Sequence, residues 1–171
     1  MEIIFNEVGY KDKLNNINLK IDNSSIVGII GKNKEYFIKL LLGDIFPLLG
    51  NVNINGLLSS LENKELIKKQ ISYIKKEVRD YFKNDIVLAE IASIIDSKQY
   101  KSKNINKRIK DAFSLIGLDE SYLTRNFKTL SDSELYLVQI AIELICNPKI
   151  IILDNPFSIL DYHNKKRLLK F

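Results

Sequence analysis

Two short polar stretches carry the residue types that bind phosphate and magnesium, and each follows an apolar run. The first, Gly31–Lys34 with the sequence GKNK, follows the run Ser25–Ile30 and precedes a helix-like run that starts at Phe37. The second, Asp154–Pro156, follows the run Lys149–Leu153. Glycine, lysine and the N–H groups of a helix N-terminus suit a phosphate, whereas a carboxylate suits Mg²⁺. The two stretches therefore predict a phosphate site and a magnesium site.

The elements that would position these stretches form an open sheet. A continuous apolar run is typical of a strand that is buried on both faces in a parallel sheet. We therefore predict strands at Ser25–Ile30 and Lys149–Leu153. Ligands bind at the carboxyl ends of such strands, where both polar stretches lie. Alternation and flanking glycines predict further strands at 2–6, 15–21, 50–56 and 70–75.

Helices are predicted at 34–43 and 61–69, and throughout a helical block from Val87 to Ile145. Within that block, Ser131 and Glu134 have the spacing of a capping box at the start of a long helix. Strands, then a helical block, then a buried strand indicate an α/β domain with a helical insert.

Composition excludes several classes of protein and site. The chain has 171 residues, a hydrophobic share of 46% and a net charge of +5. Its lysines are scattered, so we expect no nucleic-acid partner. Cys146 and His163 are the single residues of their kinds, which excludes an internal disulfide and a histidine-based metal site within one chain. The apolar runs are too short to span a bilayer and the N-terminus does not resemble a secretory signal, so a cytoplasmic protein is expected.

The order of these motifs resembles the ATP-binding cassette (ABC) ATPase family across nearly the whole chain. The stretches INLKI, IVGIIGKN and FIKLLLG are followed much later by LSDSE and NPKIIILDNPFSILD. The resemblance implies a P-loop NTPase-like sheet core with a helical subdomain insert. It also implies ATP and Mg²⁺ as cofactors.

The resemblance assigns roles to particular positions of this sequence. Tyr10 corresponds to the aromatic residue that stacks on adenine, and Lys34 to the phosphate-loop lysine. Lys76 falls on the glutamine-loop position, Leu130–Glu134 on the LSGGQ signature, and Asp154 on the magnesium-binding carboxylate. The alternative for Tyr10 and Lys34, and likewise for Lys32, is an ordinary half-buried or solvated role. Ser131 could equally be a helix cap alone.

The phosphate loop departs from the family pattern G-x-x-x-x-G-K-[ST]. If Gly31 is the first glycine, Lys34 follows three positions later instead of six. In a less favoured register Gly28 is the first glycine, which keeps the length but puts Asn33 at the second glycine and starts the loop inside the apolar run. After the lysine, Glu35 and Tyr36 stand where the magnesium-binding hydroxyl is expected.

The other nucleotide motifs depart as well. Asn155 stands at the position of the catalytic glutamate, so no catalytic residue is intact. Lys76 replaces the glutamine. Asp132, Ser133 and Glu134 replace Gly, Gly and Gln of the signature, which in the family caps the γ-phosphate across a dimer. Two acidic residues there would repel it.

The sequence stops soon after SILD, so the last strands of the family fold are expected to be missing. One of those strands lies in related folds between the phosphate-loop strand and the magnesium strand. The alternatives are a fragment, a partner that fills the gap, or two strands that close up. We predict a strand-rich core with a degenerate phosphate loop at 1–84, a helical signature subdomain at 85–147, and the magnesium strand with the start of the next helix at 148–171.

Two functional hypotheses follow from the resemblance. The first is an ABC transporter ATP-binding subunit with impaired ATP binding and hydrolysis, which pairs with a second ABC ATPase subunit or a membrane-spanning transporter subunit. The second is a non-enzymatic scaffold or interaction protein that retains the fold. A functioning soluble ABC ATPase is the least favoured alternative, because every phosphate-facing motif departs from the family pattern.

Overall fold

The computed structural model describes residues 2–169. The chain divides into two units, of which the first ends at Ile71 and the second begins at Ser72. The described strands are β1 (Ile3–Tyr10), β2 (Leu14–Ile21), β3 (Leu49–Ile54), β4 (Leu57–Leu58), β5 (Ile71–Ile74) and β6 (Ile150–Leu153). The described α-helices are α1 (Lys34–Leu41), α2 (Lys64–Lys68), α3 (Val87–Ser97), α4 (Ile105–Leu115), α5 (Asp132–Ile145) and α6 (Tyr162–Leu168).

The first unit contains a four-stranded antiparallel sheet in the order β2-β1-β3-β4. Side chains of β1 alternate between core and solvent, so Ile3 and Phe5 are buried. The next buried residue is Val8, three positions on, because a bulge interrupts the register and Glu7 adopts φ +50°. The bulge therefore keeps apolar residues on the core face along the whole strand.

Gly50 allows β3 to approach β1. It has φ +68°, and a Cβ at this position would lie 2.1 Å from the backbone oxygen of Asn6. Only glycine fits so close an approach at this dihedral angle. The strand then continues with Val52 and Ile54, both fully buried.

Helix α1 packs on this sheet through its apolar face. Phe37, Leu40 and Leu41 of the helix are buried. The ring of Phe37 stacks on that of Phe5 in β1, with centroids 4.4 Å apart and an interplanar angle of 11°. This stack holds the start of α1, and hence the predicted phosphate loop before it, against β1.

The second unit is built around α5. Strand β5 pairs with β6. All residues of β5 except Ile71 belong to this unit. Helix α5 is buried on nearly all sides, as expected for a central helix. Its neighbours in the core include Val87 and Ile91 of α3 and Ile109 and Phe113 of α4.

The predicted strand at Ser25–Ile30 is wrong. These residues belong to no strand of the described sheets, and Ile26 and Ile30 are 101% and 98% exposed. An apolar run shows that residues gain from burial, but a strand also needs a neighbour for its N–H and C=O groups. No strand among residues 2–169 supplies that pairing.

The other predicted elements are confirmed within a few residues. The strand expected at 50–56 is β3, the helix expected at 61–69 is the shorter α2, and the capping box at Ser131 is present. No helix within residues 2–169 is long and apolar enough to cross a membrane. The division at residue 71 does not test the predicted boundaries at 84 and 147, which stay predictions.

Candidate nucleotide site

The predicted phosphate loop, Gly31–Asn33, is the end of an irregular segment, residues 22–33, that joins β2 to α1. Gly31 adopts φ +142°, which glycine tolerates best. Asn33 adopts the left-handed conformation and precedes α1 without a capping bond from its side chain. Its Nδ2 instead donates a 3.1 Å hydrogen bond to the backbone oxygen of Lys13. This bond ties the loop to the turn between β1 and β2.

The first turn of α1 follows directly. The backbone N–H of Tyr36 donates to the oxygen of Asn33 at 3.0 Å, so that donor is already used. Glu35 lies exposed in the same turn, where its charge is favourable to the helix dipole. The same charge opposes a phosphate at this helix end. Lys34 is half-buried at the first helical position, and Lys32 is exposed.

Tyr10 and Tyr36, two residues of the predicted site, lie against each other. Their ring centroids are 5.8 Å apart with an interplanar angle of 33°. The ammonium of Lys11 lies 5.4 Å from the centroid of Tyr10, and that of Lys39 lies at the same distance from Tyr36. The end of β1 and the start of α1 therefore share a half-buried aromatic pair flanked by cations.

Asp154 lies at the end of β6, as expected for the magnesium position. Its backbone N–H donates to the oxygen of Ile74 in β5 at 3.0 Å, and its carboxylate accepts a 3.3 Å hydrogen bond from the Tyr73 hydroxyl. Burial, and then the Asp154 charge, raise the pKa of Tyr73 to about 12, so the hydroxyl remains a donor. No group of three or more metal-ligating side chains occurs within residues 2–169.

Asn155, at the catalytic-glutamate position, is exposed and adopts the left-handed conformation with φ +48°. Its backbone oxygen accepts hydrogen bonds from the N–H and the hydroxyl of Ser158, which close the short 3₁₀ helix Pro156–Ser158. Asparagine is among the residues that tolerate this backbone conformation best. The residue type therefore suits the turn.

The signature stretch forms the N-terminus of α5. The hydroxyl of Ser131 accepts a 3.2 Å hydrogen bond from the N–H of Glu134, and the Glu134 carboxylate accepts one of 2.9 Å from the N–H of Ser131. That carboxylate also accepts from the Tyr122 hydroxyl at 2.8 Å and from Arg125 at 3.3 Å. Burial acts to raise the pKa of Glu134, but these bonds outweigh it and the pKa lies below its ordinary value. Glu134 is thus a charged capping residue.

Asp132 and Ser133, which lie between Ser131 and Glu134, also have partners within the second unit. Asp132 forms an exposed 2.6 Å ion pair with Arg79. Ser133 is only 6% exposed, and its hydroxyl accepts from Nδ2 of Asn164 at 2.8 Å and from the N–H of Asp161 at 3.1 Å. All four side chains of the predicted signature, Ser131–Glu134, therefore have partners within the second unit.

Lys76, at the glutamine-loop position, is exposed in the irregular segment after β5. A buried polar cluster around Glu143 of α5 was not predicted from the sequence. There, the carboxylate of Glu143 accepts from Lys98 at 2.6 Å, from the Tyr81 hydroxyl at 2.8 Å and from the Ser72 hydroxyl. A glutamate inside the apolar helix sequence AIELI was the signal that could have revealed it.

The comparison with known families decides the classification. The sequence profile described as "ABC transporter" matches residues 14–158. This chain belongs to the ABC transporter family. The family resemblance inferred from the motifs is thereby confirmed, including the α/β class of the fold.

Individual relatives agree with that assignment. The energy-coupling factor transporter ATP-binding protein of Mesomycoplasma hyopneumoniae is 31% identical over 160 residues, covering 92% of this chain and 58% of the relative. The molybdate/tungstate import ATP-binding protein of Methanocaldococcus jannaschii is 30% identical over 163 residues, covering 94% and 54%. The chain thus spans about half the length of the curated relatives it matches.

A solved relative confirms the fold. The structure of cbiO1 from Clostridium perfringens, part of the ABC transporter complex cbiONQ, superposes with a TM-score of 0.86 at 21% identity. The superposition covers 98% of this chain and 70% of cbiO1. At that identity the likeness concerns the fold alone, and it is the fold of an ABC ATPase cassette.

Proposed function

We propose that this chain acts as an ABC transporter ATP-binding subunit whose own site binds and hydrolyses ATP poorly. It pairs with a second cassette or with a membrane-spanning subunit, which brings it to the membrane from the cytoplasmic side. The family provides the role of an ATP-binding subunit. The observation that carries the impairment is the spacing of Gly31 and Lys34, since the lysine follows only three positions after the glycine and already lies in α1.

A phosphate loop that starts at Gly31 offers few donors to a phosphate. The family loop wraps phosphate oxygens with successive backbone N–H groups, and three positions of that loop are missing here. Each hydrogen bond to a charged group contributes about 1.5–3 kcal/mol, so the loss of two or three weakens binding by several orders of magnitude. Two further features weaken phosphate binding. The N–H of Tyr36 already donates to Asn33, and the charge of Glu35 repels a phosphate.

Magnesium and catalysis would be affected separately. By resemblance Asp154 would ligate Mg²⁺, but the position directly after Lys34 holds the carboxylate of Glu35 in place of a serine or threonine hydroxyl. Asn155 can orient a water molecule but cannot accept its proton, and loss of a general base costs roughly 10²–10⁴ in rate. The residues present therefore fit Mg-ATP poorly.

The signature stretch supports the same proposal. In the family it contacts the γ-phosphate bound by a partner cassette. Here the side chains of Ser131, Ser133 and Glu134 are held by hydrogen bonds inside the second unit. Asp132 adds a negative charge at 57% exposure, which would repel a phosphate.

A calorimetric titration of the whole chain with Mg-ATP tests the impairment. We expect no binding heat up to about 1 mM nucleotide. A dissociation constant of about 1 mM corresponds to a binding free energy of about −4 kcal/mol. A dissociation constant in the micromolar range would overturn the proposal. Adenosine, which lacks phosphates, is the matched control ligand for Mg-ATP. It tests binding to Tyr10 and Tyr36 without a contribution from the phosphate loop.

The second candidate function, a scaffold that needs no transporter, is favoured by the same internal bonding of the signature stretch. Two co-expression experiments separate the two candidates. In one the partner is an intact cassette encoded in the same operon, and in the other it is a membrane-spanning subunit. A stable, stoichiometric complex supports the subunit role. Failure to assemble with either, together with absence of ATP binding, supports the scaffold.

A further inference from the structure

A cavity of about 580 Å³ lies in the second unit. Its lining includes Tyr73, which donates to Asp154, and Lys75 and Glu77, which flank Lys76. It is lined by residues of β5, of the segment 75–83, of α3 and of α5. Its volume lies in the range of small-molecule sites, roughly 300–1,000 Å³. The residues that line it include two buried carboxylates and a buried amide, Glu90, Glu143 and Gln139.

Glu90 is a buried carboxylate without a cation. It is 2% exposed. One of its oxygens, Oε2, accepts hydrogen bonds from the N–H of Lys83 at 3.0 Å, the N–H of Asn84 at 2.8 Å and Nδ2 of Asn84 at 2.7 Å. All three donors are neutral amides. Within residues 2–169 no lysine or arginine forms an ion pair with Glu90, and a buried charge is costly unless it is paired.

Glu143 provides the contrast. Its charge is balanced by Lys98, whose Nζ lies 2.6 Å from Oε2. Burial acts to raise the pKa of Glu143, but the Lys98 charge and the hydrogen bonds to it outweigh burial and lower the pKa. Glu143 and Lys98 therefore satisfy each other, and Lys98 is not available to Glu90.

Gln139 adds an unused acceptor. The residue is 1% exposed, and its Oε1 has no hydrogen-bond partner among the described residues. Buried polar atoms are almost always paired, so an orphan acceptor beside a cavity points to a missing donor. The buried groups that line the cavity are thus short of N–H donors and of one positive charge.

We propose that this cavity binds a small organic cation with N–H donors, an alkylammonium or a guanidinium group. Such a group supplies both the charge for Glu90 and a donor for Gln139. Anions such as phosphate or carboxylate are disfavoured by the buried carboxylates. The exposed Lys75 and Lys83 in the lining are offset by the exposed Glu77 and Asp80, so they do not reverse the selectivity. The proposal does not depend on nucleotide binding.

The cation has two sources, a free amine or guanidine and the side chain of a lysine or arginine in a peptide. Calorimetric titrations of the whole chain with butylguanidinium and with N-acetyl-arginine methylamide distinguish them. Similar affinities indicate a free molecule, whereas a gain of about tenfold or more for the peptide analogue indicates a peptide side chain. Butylurea is the matched neutral probe, because it keeps N–H donors and the alkyl chain but lacks the charge. N-acetyl-glutamate methylamide is the anionic probe.

We expect both cations to bind at least about tenfold more tightly than butylurea and the anion. The proposal is overturned if neither cation binds at about 10 mM. It is also overturned if butylurea binds as tightly as the cations, or if the anion binds more tightly.

Two cavity variants and one control variant locate the site. Glu90→Gln removes the charge but keeps an acceptor for the N–H groups of Lys83 and Asn84, and should weaken cation binding about tenfold. Asp111→Asn removes an exposed charge from α4 outside the cavity and should leave binding unchanged. Gln139→Leu keeps α5 apolar and gives a second test should Glu90→Gln fold poorly by circular dichroism. Unchanged affinity in both cavity variants would refute the assignment.

Discussion

The Ser133 hydroxyl accepts a 2.8 Å hydrogen bond from Nδ2 of Asn164, and this bond ties the start of α5 to α6. If Ser133 stands at a signature glycine, as the resemblance implies, that glycine would have no hydroxyl to accept this bond. The same hydroxyl receives the N–H of Asp161, the residue that caps α6. The Ser133 hydroxyl therefore connects two helices of the second unit.

Replacement of Ser133 should therefore reduce stability. Ser133→Ala leaves the N–H of Asp161 without its partner and should lower the free energy of unfolding by about 1–3 kcal/mol. Ser133→Gly, the family residue, should cost about 1 kcal/mol more, because glycine disfavours a helix. Urea unfolding measures both values. Ser114→Ala on the exposed face of α4 is the control, and equal effects at the two sites would contradict the structural role.

Repair of the phosphate loop should restore nucleotide binding. Insertion of Gly-Ser-Gly after Asn33 together with Glu35→Ser adds backbone donors, supplies a hydroxyl and removes the repelling carboxylate. We expect Mg-ATP affinity to increase at least about a hundredfold, measured by calorimetry. Hydrolysis should still require Asn155→Glu.

Glu35→Ser without the insertion is the matched control and should give a much smaller gain. If the double change leaves ATP affinity at the level of this control, the loop register that starts at Gly31 is wrong. The register that starts at Gly28 would then become the better interpretation.

The ion pair between Glu143 and Lys98 should make stability depend on pH. The folded-state pKa of Glu143 is lowered from 4.5, so its contribution is fully present above about pH 4.5 and is lost as the pH falls through the folded value. Urea unfolding between neutral and acidic pH should show a steeper loss in the native chain than in Glu143→Gln. The difference between the two curves isolates Glu143 from other carboxylates with lowered pKa values. Parallel curves would show that Glu143 does not carry this dependence.

The exposed apolar segment should tolerate polar substitution. Ile26→Ser and Ile30→Ser should each change the free energy of unfolding by less than about 0.5 kcal/mol, because neither side chain is buried. Both should reduce aggregation, measured by light scattering, since exposed apolar chains associate. Leu40→Ala is the buried control and should cost about 2–5 kcal/mol. A loss of that size at Ile26 would mean that the segment packs in a strand after all.

Local signals were the most predictable part of this protein. The capping box at Ser131 and Glu134 is present, since it depends on residues three positions apart. The family could be inferred because its motifs keep their order along the chain. The polar partners within the second unit could not be predicted, because Glu143 and Lys98, or Ser133 and Asn164, are far apart in sequence. Their pairing depends on how helices pack.

The sequence by itself determined the family, because the family depends on which motifs occur in which order. The short phosphate loop and the loss of the catalytic glutamate stay predictions from those motifs. Tertiary structure decided that Ser25–Ile30 forms no strand, since a strand exists only with a pairing neighbour. It also decided the present roles of Ser133 and Glu134, because a hydrogen-bond partner is assigned by proximity in space. Finally, it left Glu90 and Gln139 buried beside a cavity without a cation or a donor, a combination that no stretch of the sequence contains.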